Sequence, residues 1–121
     1  MENSNNILHT KSYAFALRIV RMSQYLTTKT KEYVLSKQVL RSGTSIGALI
    51  SESKYAQSRA DFLNKLTIAL KEANETLYWI DLLHDTGYID TPMHISMSKD
   101  NKELISLLVA ITKSLKEKGT K

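Results

Sequence analysis

The sequence predicts an all-α protein, an antiparallel up-down-up-down four-helix bundle. Apolar residues recur every three or four positions along four successive segments. The 121 residues include only four Gly and one Pro, too few for the turns of an all-β fold. The polar connections between segments are short, which makes consecutive helices antiparallel neighbours. The length suits one domain, residues 1–121, large enough to bury a core without disulfide or metal staples.

The first helix is predicted from about Ile7 to about Thr28, with Leu17 and Val20 inward and a dense apolar start at Tyr13, Ala14, Phe15 and Ala16. A polar connection follows, in which Thr30 is placed to cap the second helix, about Glu32 to Ala56. The inward stripe of that helix is Leu35, Val39, Ser42, Ile46, Leu49, Ile50 and Ser53. Gly43 and Gly47 share one side of it. A mid-helix glycine costs about 1 kcal/mol, so the close approach of another helix is the expected compensation. The third helix is predicted from Arg59 to Thr86, capped by the Ser58 hydroxyl and stopped by Gly87. Phe62, Leu66, Ala69, Ala73, Leu77 and Ile80 form its core stripe. Beside that lies a second stripe, Lys65, Ile68, Glu72, Thr76 and Trp79, which reads either as a seam inside the bundle or as a subunit interface. Ile68, Glu72 and Trp79 are its candidate interface residues. The fourth helix is predicted to start at a Thr91 cap with Pro92 in the first turn and to run to about Lys118. Met97, Leu104, Leu108, Ile111 and Leu115 face inward, with Lys99, Lys102 and Lys113 opposite.

Several function classes are disfavoured. Without Cys there are no disulfides and no thiolate metal ligands. The start MENSNNILHT has no basic and apolar leader pattern, and no apolar run approaches the ~20 residues of a membrane span; a cytoplasmic location is expected. A di-iron bundle needs two Glu-x-x-His motifs, and only Asp81-Leu82-Leu83-His84 comes near that spacing. His9 and His94 form no i,i+4 pair, so no metal and no cofactor are expected. The serines of the second helix have no His nearby in sequence, and Gly43–Gly47 lacks the strand and lysine of a phosphate loop. Glu72 and Glu75 read as charge-pairing residues, Glu72 with a base on a neighbouring helix, rather than as an acid–base pair. The expectation is a protein without catalytic residues, not an enzyme.

Charge is distributed unevenly. Met1–Arg41 carries seven bases against two acids, Ser42–Asp90 four against seven, and the tail from Thr91 six against three. The basic part suits a polyanion, and Lys11, Arg18, Arg21, Lys37 and Arg41 are the candidate phosphate contacts. Nothing in the pattern reads bases, so binding would follow backbone or shape, as for structured RNA or DNA. The rival reading is a protein-interaction scaffold, in which the acidic third helix and Trp79 dock a partner protein or neighbouring subunits without nucleic acid.

Two runs carry a family resemblance. One is Arg41-Ser42-Gly43-Thr44-Ser45-Ile46-Gly47-Ala48 with Glu52 after it, and the other runs from Asp61-Phe62-Leu63 through Lys71-Glu72-Ala73 to Tyr78-Trp79. Together they resemble the four-helix bundle family also described as 23S rRNA intervening-sequence proteins. The likeness extends to Lys11–Phe15 and Leu104–Leu108. It implies a small cytoplasmic bacterial protein that forms ring-shaped homo-oligomers, typically pentamers, with no catalytic residues to carry over. A similar bundle is the accessory protein of diversity-generating retroelements, which binds a reverse transcriptase and nucleic acid. Leu49 and Ser51 depart from the family's usual Asn and Ala after the Ser-Ile-Gly.

Overall fold

The computed structural model describes residues 4–119. The termini beyond them, with Glu2 and Lys121 of the charge reading, lie outside the described residues. Four helices follow in order: α1 (Ser4–Thr28), α2 (Leu35–Ser53), α3 (Arg59–Asp85) and α4 (Thr91–Gly119). Each packs on the next, and α4 returns to α1 through the smallest of the four interfaces. The result is the expected antiparallel bundle. No helix of the described residues is long and apolar enough to cross a membrane.

The helix ends follow from local hydrogen bonding. Ser58 is extended and its hydroxyl accepts the Asp61 N–H at 3.0 Å, while Asp61 in turn accepts the Gln57 N–H at 3.1 Å. That backbone N–H, and then the Lys65 ammonium, hold the Asp61 carboxyl below its ordinary value. At the other end of α3, Gly87 takes φ +87°. The Tyr88 N–H reaches Leu83 C=O and the Gly87 N–H reaches His84 C=O, a Schellman closure that favours glycine.

Helix α1 begins at Ser4 rather than near Ile7, and three further boundaries differ from expectation. Thr30 does not cap α2; its hydroxyl donates back to Leu26 C=O. Lys31 turns left-handed, and the Glu32 carboxylate accepts the Ser36 N–H at 2.8 Å, so regular helix begins at Leu35. At the far end of α2 the N–H groups of Lys54, Tyr55 and Ala56 tighten to bonds three residues back, and the helix stops at Ser53. The cap of α4 sits one residue early: Asp90, not Thr91, accepts the Met93 N–H, at 2.9 Å.

The core stripes of α2, α3 and α4 face inward as expected, their edge members Leu35, Leu49, Phe62, Leu77, Ile111 and Leu115 only partly buried. That of α1 does not. Leu17 and Val20 are exposed, at 46% and 38%, and so is Tyr13. The buried face is Leu8, Ser12, Phe15, Ile19, Met22 and Leu26. Helix α1 carries apolar residues on two sides, and the side that runs the full length of the helix wins the core. Its seat on α2 is the glycine pair. A Cβ on Gly43 would fall 2.7 Å from the Ile19 side chain, and one on Gly47 would fall 3.3 Å from Ser12 C=O. Leucine at position 47 would push α1 away and is expected to destabilise the bundle by about 1–3 kcal/mol, as overpacking does; a urea melt matching wild type would contradict this.

Polar side chains fix the register between helices. The Thr76 hydroxyl donates to Ser42 Oγ at 2.9 Å, both fully buried between α3 and α2. Asn101 of α4 is 0% exposed. Its amide donates to Ala73 C=O at 3.0 Å and accepts from Leu77 N–H at 3.1 Å, which ties α4 into the backbone ladder of α3. The amide orientation is the one that satisfies both neighbours.

Candidate nucleic-acid interface

The candidate bases do not form one surface. Lys11 and Arg18 face α4, where Lys11 pairs with Glu103 at 3.2 Å and Arg18 with Asp100 at 2.6 Å. The second guanidinium nitrogen of Arg18 also donates to Ser96 Oγ. Arg41 faces α3 and bridges Glu72, at 3.1 Å, and Glu75. Arg21 and Lys37 are exposed and make no hydrogen bond or ion pair among the described residues. The five candidates thus divide into three clamps between helices and two unpaired bases.

The second stripe of α3 divides in the same way. Glu72 is 7% exposed and Thr76 is buried, both against α2, so this part is a seam of the bundle. The pairing of Glu72 with a base on a neighbouring helix is as expected. Trp79 is partly buried, meets Tyr78 edge-on with ring centroids 5.0 Å apart, and donates its indole N–H to Glu75 at 3.0 Å. Ile68 stands on the exposed flank.

The Trp79 N–H, and after it the Arg41 guanidinium, hold the Glu75 carboxyl below its ordinary 4.5. A carboxylate lowered in this way adds stability above its ordinary value and loses that contribution as the pH falls through the folded-state value. Because Trp79 is the only tryptophan, its fluorescence reports the bond. The emission is expected to change with a midpoint below 4.5 in the folded protein. A midpoint at or above the ordinary carboxyl value would show that the indole bond does not stabilise the carboxylate.

Taken together, the acids are largely consumed inside the fold. Asp61, Glu72, Glu75, Asp100 and Glu103 pair with Lys or Arg. Asp81 and Asp85 contact His94 and His84, while Glu32 and Asp90 cap helices. His84 and His94 stack at 4.2 Å and hold the α3–α4 turn; the second ring nitrogen of His84 meets the Thr91 hydroxyl. Among the described residues no group of three or more His, Cys, Asp or Glu is arranged to hold a metal ion. Among the described residues the bases left exposed without an acid partner include Arg21, Lys29, Lys31 and Lys37 near one end of the bundle. The lysines of α4 belong with them. Lys99, Lys102 and Lys113 were expected opposite the core but not as phosphate contacts, because the pairing of Asp100 and Glu103 with α1 is invisible along the chain.

A different surface is apolar. Tyr13, Leu17 and Val20 form an exposed strip on α1. Beside it Tyr13, Ala16, Gly47, Ala48 and Ser51 line a groove of about 470 Å³ between α1 and α2.

The profile of a family described as 23S rRNA-intervening sequence protein matches residues 4–110 of the chain. Among solved structures, the chain is similar to a protein with unknown function from the S23 ribosomal protein family of Bacteroides thetaiotaomicron VPI-5482. The two share 53% identity, with a TM-score of 0.90 over 92% of this chain and 99% of that one. No curated protein matches the chain.

Proposed function

The chain belongs to the 23S rRNA-intervening sequence protein family, and from that premise we propose that it is a non-enzymatic, self-associating helical bundle that binds structured RNA. The observation that carries this reading is the asymmetry of charge use. Among the described residues most carboxylates are engaged within the fold, whereas many lysines and arginines are not, so the net charge of +5 is carried by exposed, unpaired bases. Exposed bases on rigid helices suit phosphates, and the binding is to the RNA backbone and its shape. Glu72 and Glu75, the nearest thing to paired catalytic carboxylates, are held by Arg41 and Trp79, which supports a structural role for them.

Self-association is supported by the Tyr13–Leu17–Val20 strip and its groove, where exposed apolar side chains lie together beside a concave surface. The test has two parts. The protein purified at low salt is expected to carry nuclease-sensitive RNA, read from its absorbance ratio, and to scatter light as a multimer. Leu17→Glu is expected to reduce the particle to the single-chain mass. A nucleic-acid-free protein that binds no RNA removes the RNA reading. A Leu17→Glu protein of unchanged mass removes the strip as the self-contact, and its failure to bind a partner protein would then identify the strip as a docking site.

A further inference from the structure

We propose that the outer face of α4 is the surface on which RNA lies, with Lys99, Lys102, Lys113 and Lys116 contacting its phosphodiester backbone. This rests on the RNA-binding reading above and moves its centre away from α1 and α2. The faces of α4 are accounted for in turn. Met97, Leu104 and Leu108 enter the core. Asn101 reaches α3. Ser96, Asp100 and Glu103 turn towards α1, where Arg18 and Lys11 hold them. At 100° per residue the side left over is Ile95, Lys99, Lys102, Ser106, Val109, Lys113 and Lys116, and every one of these residues is exposed. It carries four lysines, and the one acid at the same helical angle is Glu117, at the end of the helix.

Two features set this stripe apart from ordinary solvated lysines. First, Glu103 stands four residues beyond Lys99, where an i,i+4 ion pair would be usual, yet it pairs with Lys11 of α1 instead. None of the four lysines has an ion pair or hydrogen bond among the described residues. Second, of the four only Lys116 lies in the last turn of α4, where the negative end of the helix dipole favours a base and fades within about one turn. Lys99 and Lys102 lie several turns upstream and gain nothing from it. The lysines fall into two pairs separated by 14 positions, about 21 Å along the helix axis at 1.5 Å per residue. Ser106 and Val109 between them present no charge to repel a phosphate.

The chemistry selects the ligand. Lysine offers a point charge without the planar fork that reads guanine or clamps a phosphate in two places. No aromatic ring stands on the stripe, so it offers no platform for stacking unpaired bases. A straight, basic, ring-free ridge fits the backbone of a duplex or duplex-like RNA, independent of sequence.

The test is the quadruple variant Lys99→Ala, Lys102→Ala, Lys113→Ala, Lys116→Ala. Alanine keeps the helix, and a thermal melt confirms the fold. A control replaces Lys29, Lys31 and Lys37 with alanine. Binding to a labelled mixed-sequence RNA duplex is followed by anisotropy over a salt series. The α4 variant is expected to lose about 0.9 of the log–log salt slope per lysine, and about 100-fold or more in low-salt affinity. The control is expected to keep most of both. A control that loses binding while the α4 variant keeps it overturns the inference and leaves RNA binding standing. Wild-type protein that binds no duplex overturns both. An α4 variant that leaves anionic vesicles but still binds RNA overturns the inference in favour of a lipid surface.

Discussion

Phe15→Ala is expected to cost about 3–5 kcal/mol, whereas Leu17→Ala is expected to cost less than about 1 kcal/mol. Two positions apart on α1, they lie on opposite sides of the question of which face is buried. Phe15 is 1% exposed and belongs to the core cluster with Ile19, Ile46 and Leu66. Cutting it back leaves a cavity that the glycine-seated α1–α2 contact cannot close without moving Ile19 off Gly43. A small domain is stabilised by only about 5–15 kcal/mol in total, so the Phe15 variant loses a large share and melts roughly 10 °C lower or more. Leu17 gives up contact mainly with solvent. Any larger loss at Leu17 should depend on protein concentration, as the loss of a self-contact would, while the loss at Phe15 should not. Chemical denaturation at two protein concentrations reads both. A concentration-independent cost at Leu17 equal to that at Phe15 would mean that α1 is rotated.

Asn101→Asp is expected to destabilise the bundle by about 3–5 kcal/mol at neutral pH and by much less in acid. Wild-type Asn101 presents a donor to Ala73 C=O and an acceptor to Leu77 N–H, with no water access. A carboxylate has acceptors only, so it would face the Ala73 carbonyl as a buried, unpaired charge. Protonated, the acid regains one donor and one acceptor and reproduces the amide. Burial raises the folded-state pKa of the new carboxyl. The folded protein therefore holds the proton where the unfolded chain has released it. The deficit is absent below the unfolded value of about 3.9 and grows as the pH rises towards the folded value. Stability measured against pH should show that slope, which the wild type lacks at this position. Equal destabilisation at acid and neutral pH would contradict the bridge.

The sequence disclosed the helices better than their faces. On α3 and α4 the long stripe at spacings of three and four is the buried one, despite exposed Ile68, Ile95 and Val109, so Leu66, Ala69, Ala73, Leu104 and Leu108 could be placed inward with no coordinates. On α1 the Tyr13–Leu17–Val20 strip competes with the Leu8–Phe15–Ile19–Met22–Leu26 side, and only the partner helix decides. Gly43 and Gly47 signalled a close approach, but not that Ile19 and Ser12 make it. Asn101 sits one turn from Met97 within the inward stripe, yet its polarity removes it from an apolar pattern. Its role depends on Ala73 C=O and Leu77 N–H of another helix. Arg18 and Arg41 looked like surface charges because Asp100 and Glu72 lie far from them along the chain. Thr30 and Thr91 lost their capping roles to neighbouring acids, Glu32 and Asp90, which accept the same kind of N–H bond. Helical angle places Lys99, Lys102, Lys113 and Lys116 on one side, but the fates of Asp100 and Glu103 require the position of α1.

If the lysines that the fold leaves unpaired serve an RNA backbone, the affinity of the wild-type protein for an RNA duplex should fall steeply between about 50 and 200 mM salt. Four phosphate contacts predict a log–log slope near −3.6 and an affinity that falls by about 100-fold across that range. An affinity that does not move with salt, or the absence of binding at the low end, would contradict it.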